Sequence, residues 1–227
     1  MKLSIVVPCY NEAKNIPLIL ERFSLALADK NNVEVILVNN NSKDDTTEVL
    51  NKLLPDYPFA RQVFQGQPGY GSAILAGLQV ATGEFIGWTH GDLQTSPEDV
   101  VKVLDLIEQK KNESKIFYKG KRKGRAWVDV FFTWGMGIFE SLYLRSWLFD
   151  INAQPNIFSK SFFEVWKNPP TDFSLDLYAF YLAKKMGFKV CRFSVLFPPR
   201  LHGESSWNNG WQSRLKFIKR TLNLALN

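Results

Sequence analysis

Polar and apolar positions along this chain fall into a recurring order: a short apolar run, a polar loop, then apolar residues at helical spacing. Leu3 to Val7 is a β-branched run closed by Pro8, which reads as a buried strand. Asn11 reads as the cap of a helix from about Ala13 to Ala28, with Ile16, Leu20, Phe23 and Leu27 on one face. Val33 to Val38 is a second strand, and a polar loop from Asn39 to Thr46 leads into a helix ending near Leu54. Arg61 to Phe64, the loop Gln65 to Gly71, a helix through about Ala81 and a strand Glu84 to Trp88 continue the alternation. Such an order predicts an α/β fold: a mostly parallel, Rossmann-like sheet flanked by helices.

The stretch Phe85 to Pro97 (FIGWTHGDLQTSP) is where this pattern carries chemistry. The strand stops at His90, Gly91, Asp92, Leu93, Gln94, and Ser96-Pro97 then opens a helix over Glu98 to Gln109. In open α/β sheets ligands bind beyond the carboxyl ends of the strands, so a carboxylate, an amide and an imidazole sit where chemistry is possible. The plainer alternative is a turn before a helix capped by Ser96, with Asp92 merely solvated. The loop Gly66 to Ser72 could bring backbone amides to a phosphate. It is no dinucleotide fingerprint, because Ile74 stands where a third glycine belongs, and no GxxxxGK[ST] motif occurs.

Beyond the strand Lys115 to Tyr118 the composition changes. Lys119, Lys121, Arg122, Lys123 and Arg125 surround Gly120 and Gly124, which reads as a flexible anion-seeking loop or a solvated charge run. Ala126 to Phe149 then carries eight aromatic residues interrupted by Asp129, Glu140 and Arg145, the pattern of a helix at an interface or in a core. Asn156 to Ser159 reads as a short strand and Ser161 to about Trp166 as a helix. A helix capped by Asp172 or Ser174 runs to about Met186, and Lys189 to Phe197 is a strand. Trp211 to Leu226 is a basic amphipathic helix suited to an anionic membrane surface.

Composition narrows the classes. The 227 residues, 45% hydrophobic, support a sizeable core, and 18 Phe with 7 Trp suggest apolar contact surface beyond it. A net charge of +6 favours acidic partners. Two cysteines without metal spacing point to a reducing compartment. The start reads as a strand rather than a signal peptide, and no apolar run reaches the roughly 18 residues of a bilayer span. The basic residues fit no nucleic-acid-binding module.

Several loops together resemble the family 2 glycosyltransferases of the GT-A fold. Pro8, Cys9, Tyr10, Asn11, Glu12 look like the family's PxYNE, and Asn39 to Thr46 like its DDGSxDxT. Gly69, Gly71, Ala73, Gly77, Ala81 and Gly83 fit GxGxAxxxGxxxAxG, and His90 to Gln94 fall on DxDLQ. Arg200, Gly203 and Ser205 match an RxxGxS pattern that is closest to the dolichyl or polyprenyl phosphate sugar synthases.

The resemblance implies an inverting enzyme that moves a sugar from a nucleoside-diphosphate sugar to an acceptor. Pro8, Tyr10, Glu12, Asn39, Asn40 and Gly71 would hold the nucleotide, with His202 and Ser205 on a loop closing over the diphosphate. Asp92, with Gln94 and His90, would hold a divalent cation; an imidazole in place of a carboxylate shifts the expectation toward Mn²⁺ over Mg²⁺. A lipid phosphate acceptor would be gripped by Arg122 and Arg125 and needs no base. A saccharide hydroxyl, as in polysaccharide synthesis, needs one, for which Asp176 is the candidate unless it only complements its helix dipole. Residues 1–119 are expected to form the donor-binding half, and 120–227 the acceptor-binding, membrane-interface half, of one domain. The implied location is peripheral, at the cytoplasmic face of a membrane, in an unknown oligomeric state. Loss of carboxylates at Asn39, Asn40 and His90 leaves a second class open, a non-catalytic sugar-nucleotide-binding protein.

Overall fold

The computed structural model describes residues 2–110, 113, 115–124 and 127–198. Seven strands form one sheet: β1 (Leu3–Cys9), β2 (Val33–Asn39), β3 (Ala60–Phe64), β4 (Phe85–Trp88), β5 (Ile116–Lys123), β6 (Asn156–Ser159) and β7 (Lys189–Leu196). Their order is β3-β2-β1-β4-β6-β5-β7. Only β6 runs against the rest, pairing antiparallel with β4 and β5. The helices are α1 (Ile16–Ala26), α2 (Thr46–Leu53), α3 (Tyr70–Val80), α4 (Pro97–Gln109), α5 (Trp127–Tyr143), α6 (Lys160–Phe163) and α7 (Leu175–Lys185).

Side-chain alternation along the strands splits the core into two layers. Val6, Ile36, Val38, Ile86, Trp88, Phe117 and Phe158 join α3 and α7 on one face. Leu3, Ile5, Val7, Val35, Leu37 and Tyr118 join α1 and α4 on the other. Two-sided burial accounts for the nearly continuous apolar sequence of β1 and β2. Glycines set the spacing where layers are tightest. A Cβ on Gly77 of α3 would lie 2.5 Å from Val6 Cγ1, and one on Gly87 would lie 2.0 Å from the Asn156 carbonyl across the β4–β6 pair.

Several boundaries differ from the sequence pattern. The basic segment is strand rather than flexible loop: β5 continues through Lys123, paired with β7 to Leu196, and the chain turns only at Gly124 (φ 77°). Pairing with an edge strand overrides the two glycines, and Gly120 is needed because a Cβ there would meet the Gln154 carbonyl at 2.1 Å. Helix α1 starts at Ile16 after Asn15, while Asn11 takes a left-handed turn (φ 56°) instead of capping it. The aromatic helix ends at Tyr143. The segment behind it is locked by Ser141, whose hydroxyl donates to the Leu148 carbonyl (2.9 Å) and accepts from the Leu148 amide (2.8 Å). Helix α6 is a single turn. The terminal basic helix, Arg125, and the loop with Arg200, His202, Gly203, Ser205 and Ser206 lie outside the described residues.

Gly87→Ala is expected to separate β4 from β6 and cost about 3 kcal/mol, the upper range for overpacking, read as a lowered urea midpoint. Gly124→Ala, where nothing lies within 4 Å and only the positive φ opposes a side chain, is expected to cost about 1 kcal/mol.

Candidate active site

Strand β1 is central, and its carboxyl end meets both neighbouring loops. The Asn40 amide donates to the Cys9 carbonyl at 2.8 Å, and a Cβ on Gly91 would come within 2.5 Å of the Pro8 carbonyl. Pro8, Tyr10, Glu12, Asn39, Asn40 and the His90–Gln94 loop therefore share one edge of the sheet. The loops after β1 and β2 are stitched together. The Asn11 amide donates to Ser42 Oγ (3.1 Å), Lys43 N to Asn11 Oδ1 (2.8 Å), Glu12 N to Thr46 Oγ1 (3.0 Å) and Ala13 N to Asp44 Oδ2 (3.1 Å).

This stitching reassigns the two asparagines. Asn39 is buried, accepts from Ser42 N (3.0 Å) and donates from Nδ2 to Thr47 Oγ1 (2.8 Å). With an aspartate in its place the second bond would have to reverse, the Thr47 hydroxyl donating to the carboxylate. Asn40 Oδ1 accepts from Gly69 N (3.2 Å), and Asn41 Nδ2 donates to the Gly66 carbonyl (3.1 Å). Their amides hold the loop frame, leaving Tyr10, which is 52% exposed, as the side chain at the mouth.

In the glycine loop some of the amides that could have met a phosphate are engaged within the chain. Gly69 N is taken by Asn40, Ser72 N by the Thr171 carbonyl (2.9 Å) and Ala73 N by the Gly69 carbonyl (3.0 Å). Gly71 is required for contact with the chain itself: a Cβ there would lie 2.6 Å from the Pro170 carbonyl and 2.7 Å from that of Asp172.

Asp92 is 5% exposed, and its Oδ1 accepts from Gln94 N at 3.1 Å. The turn is tight enough to hold Leu93 at φ 60°. Gln94 Nε2 donates to the Pro198 carbonyl (3.1 Å), and the His90 ring packs edge-on to Phe197 (5.8 Å between centroids). The end of β7 is thus fastened to the Asp92 loop. Among the described residues no group of three or more His, Cys, Asp or Glu gathers. A carboxylate, an imidazole two positions before it and an amide two positions after it on one turn are donor types that fit a divalent cation, which would need further ligands from elsewhere.

Two expected catalytic residues are placed differently from their expected roles. Arg122 donates through Nε (2.8 Å) and Nη2 to Asp150 Oδ1, and its backbone amide donates to Asp150 Oδ2 (2.9 Å). Its guanidinium lies 5.2 Å from the Phe197 ring centroid. Neutralised by Asp150, it braces β5 and β7 and is not a ready phosphate ligand. Asp176 is 2% exposed, with Oδ1 accepting from Trp88 Nε1 (3.2 Å) and Asn156 Nδ2 (2.8 Å) and Oδ2 from the Tyr70 hydroxyl (2.7 Å). A carboxylate occupied by three buried donors is a framework group and not an accessible base.

The same network takes in Lys119, expected in an anion-seeking loop but buried on β5, and residues the sequence pattern did not single out for chemistry. Lys119 is fully buried and donates to the Ala153 carbonyl (2.9 Å) and Asn156 Oδ1 (2.5 Å), so Asn156 relays between Lys119 and Asp176. Gln154 Nε2 donates to the Tyr70 hydroxyl, and Tyr70 stacks on Phe173 at 4.6 Å. Burial, with the nearby Arg192 guanidinium, pushes the Lys119 ammonium down to about 7. Burial and the adjacent Asp176 carboxylate push the Tyr70 phenol well up. The available signal was the polar Asn156 opening an apolar strand after Gln154-Pro155.

Comparison with known proteins settles the ancestry of this arrangement. Residues 4–175 match the family model described as Glycosyl transferase family 2. The chain belongs to that family. An undecaprenyl-phosphate 4-deoxy-4-formamido-L-arabinose transferase of Pseudomonas syringae is 33% identical over 110 residues, 47% of this chain and 33% of the relative. The protein of that name from Yersinia enterocolitica is 32% identical over 111 residues, 48% of this chain and 34% of the relative. The matched stretch thus spans about a third of the length of these family 2 relatives. Among solved structures, glucosyl-3-phosphoglycerate synthase from Mycobacterium tuberculosis, in complex with Mn²⁺ and UDP-glucose, superposes with TM-score 0.75 at 17% identity, covering 98% of this chain and 78% of that one. A mannosyltransferase from Pyrobaculum calidifontis, in complex with GDP-mannose and Mn²⁺, gives 0.68 at 17%, covering 99% and 64%. These likenesses confirm the GT-A fold expected from the motifs.

The Lys119 environment in this family 2 chain generates a pH prediction. With a folded pKa of about 7 against an ordinary 10.4, the unfolded chain binds more protons between those values, so this group makes stability rise with pH through that window, by at most about 1.4 kcal/mol per pH unit. Urea titrations from pH 7 to 10 should show this slope in the native chain, and Lys119→Met should flatten it.

Proposed function

We propose that this chain catalyses inverting transfer of a sugar from a nucleoside-diphosphate sugar to a polyprenyl phosphate at a membrane surface. The observation that carries the reading is the outer face of α5 and the turn behind it. Trp127 is 80% exposed, Leu142 75% and Trp147 71%, with Trp134 also exposed. Exposed aromatic and aliphatic side chains on one helix, beside the exposed cations Lys121 and Lys123, suit the boundary of an anionic bilayer. No helix among the described residues is long and apolar enough to cross a membrane. The names of the undecaprenyl-phosphate transferases support the same acceptor class. Cys9 and Cys191 are both free thiols, in keeping with the cytoplasmic face.

In this reading the half before residue 120 holds the donor and the half after it meets the acceptor. Tyr10 covers the base at the mouth, and Pro8 and Glu12 line the nucleotide. Asp92, with His90 and Gln94, would hold a divalent cation that neutralises the departing diphosphate. An acceptor phosphate oxygen forms the new bond to the anomeric carbon as the bond to the diphosphate breaks on the opposite face. That oxygen is already anionic, so no proton has to be removed, which agrees with the occupied state of Asp176. Transfer to a saccharide hydroxyl would need an open base, and this arrangement of Asp176 disfavours it.

A donor panel of UDP- and GDP-sugars, assayed with polyprenyl phosphate for nucleotide release and glycolipid formation, tests the proposal. Asp92→Asn is expected to lower kcat/KM at least about 100-fold. Nucleotide binding without transfer to any lipid or saccharide acceptor would instead mark a sugar-nucleotide-binding protein. Activity is expected to be higher in Mn²⁺ than in Mg²⁺, and His90→Asp should shift the preference toward Mg²⁺. Equal activity of the native chain in both metals would remove His90 from the cation site.

A further inference from the structure

A cavity of about 470 Å³ lies outside the donor-binding edge, between α5, α7 and the outer strands β5 and β7. Its volume is within the range of small-molecule sites, roughly 300–1,000 Å³. Trp134, Trp147, Phe149, Phe180 and Val190 supply its apolar walls, and Lys121, Lys184 and Arg192 also line it. Phe180 is buried beneath the Arg192 guanidinium, 5.0 Å from its ring centroid. Arg192 donates to the Gly120 carbonyl (2.8 Å) and to that of Phe149, so it fixes the wall and is not exchangeable with a ligand. Lys121, by contrast, is exposed.

Strand register gives the cavity a direction. Val190 pairs with Phe117 and Ser194 with Lys121, so from Val190 to the level of Lys121 the cavity follows β5 and β7 over four residues, about 13 Å. Its Lys121 end lies toward the carboxyl edge of the sheet, where the donor loops gather. Its opposite end lies by Lys184, whose aliphatic stem can line an apolar channel while the ammonium stays in water. Lys121 at the reaction end of an aromatic-lined cavity, with the exposed Lys123 two residues further along the same strand, is complementary to an anionic head on a methyl-branched hydrocarbon chain. The exposed Trp147 continues the apolar surface outward, so a chain too long for the channel has a route to the bilayer.

We propose that this groove seats the first isoprene units of the polyprenyl phosphate acceptor, with the phosphate at the Lys121 end. The inference rests on the lipid-phosphate reading above and adds to it the place where the chain lies. It also gives the unpaired charge role to Lys121, since Arg122 is held by Asp150. Specificity for an acceptor would then come from the aromatic channel, and orientation of its phosphate from Lys121.

The test uses the full chain in detergent with a polyprenyl phosphate carrying a diazirine on its first isoprene units, followed by peptide mapping. The expected label falls on Trp134, Trp147 or Phe149 and is displaced by unlabelled polyprenyl phosphate but not by an anionic phospholipid. Trp134→Ala combined with Trp147→Ala, both at exposed positions, should raise the acceptor KM about tenfold with the donor KM unchanged, and Lys121→Glu should do the same. Label elsewhere while transfer to polyprenyl phosphate persists would overturn the groove and leave the proposed function standing. Displacement by phospholipid would make the groove a seat for bulk lipid and overturn the assignment. Absence of transfer to any polyprenyl phosphate, with a donor that is turned over on another acceptor, would overturn the functional reading itself and the groove with it.

Discussion

The carboxylate of Asp176 is the point at which this fold is joined. Burying an ionised carboxyl group is costly unless donors replace its water, and here the donors come from three different elements: Trp88 at the end of β4, Asn156 at the start of β6 and Tyr70 at the start of α3. The first strands form a self-consistent parallel unit, but β6 reverses direction and α7 arrives about ninety residues after Trp88. One charge satisfied by all three aligns the later elements on the earlier ones. Lys119 balances it through Asn156 without touching it, so the buried pair has a shared amide between its charges. The arrangement makes a uniquely specified interior more than a strong one, because removing any single member leaves a buried polar group without its partner.

From that joint the carboxyl edge of the sheet follows. Tyr70 fixes the first turn of α3, and the contact of Gly71 with residues 170–172 seats the same turn against the start of α7. Trp88 fixes the last residue of β4, directly ahead of the His90–Gln94 turn. Asn40 and Asn41 then connect the β2 loop to the glycine loop, while Asn39 holds the β2 loop itself through Ser42 and Thr47. Asparagines at these positions thus hold the loop frame, and Asp92 stands as a buried carboxylate at the same edge.

The side formed by α5 and β5 is built on the opposite principle. Instead of polar closure it leaves apolar surface uncovered, on α5 and at Trp147, and keeps its cations on strand β5. A rigid strand holds Lys121 at a defined height, whereas a flexible loop would let it follow any anion. Pairing Arg122 with Asp150 removes the competing cation next to it and stacks the guanidinium on Phe197, whose other contact is His90. The His90–Gln94 turn and strand β5 are thereby linked through two aromatic contacts just after β7.

All seven strands, β5 only in its first half, and a mostly parallel sheet flanked by helices were legible in the residue pattern, because β-branched runs buried on both faces and helices with one apolar stripe are local signals; the GT-A fold came from the resemblance of the motif loops. The motif loops were equally legible in position, since a strand that ends in polar residues can only open at the sheet edge. What each polar side chain does there was not legible. Asn39 and Asn40 looked like nucleotide contacts, Gly71 like a phosphate cradle, Arg122 like an anion clamp and Asp176 like a base. Asn39 is tied to Ser42 and Thr47 in its own loop, whereas Asn40 Oδ1, Gly71, Arg122 and Asp176 meet residues far away in sequence. The sequence by itself determined which elements form and where chemistry can gather. Tertiary structure alone decided which polar groups remain available for it, because the satisfaction of a buried donor or acceptor depends on partners that only the folded chain brings within 3 Å.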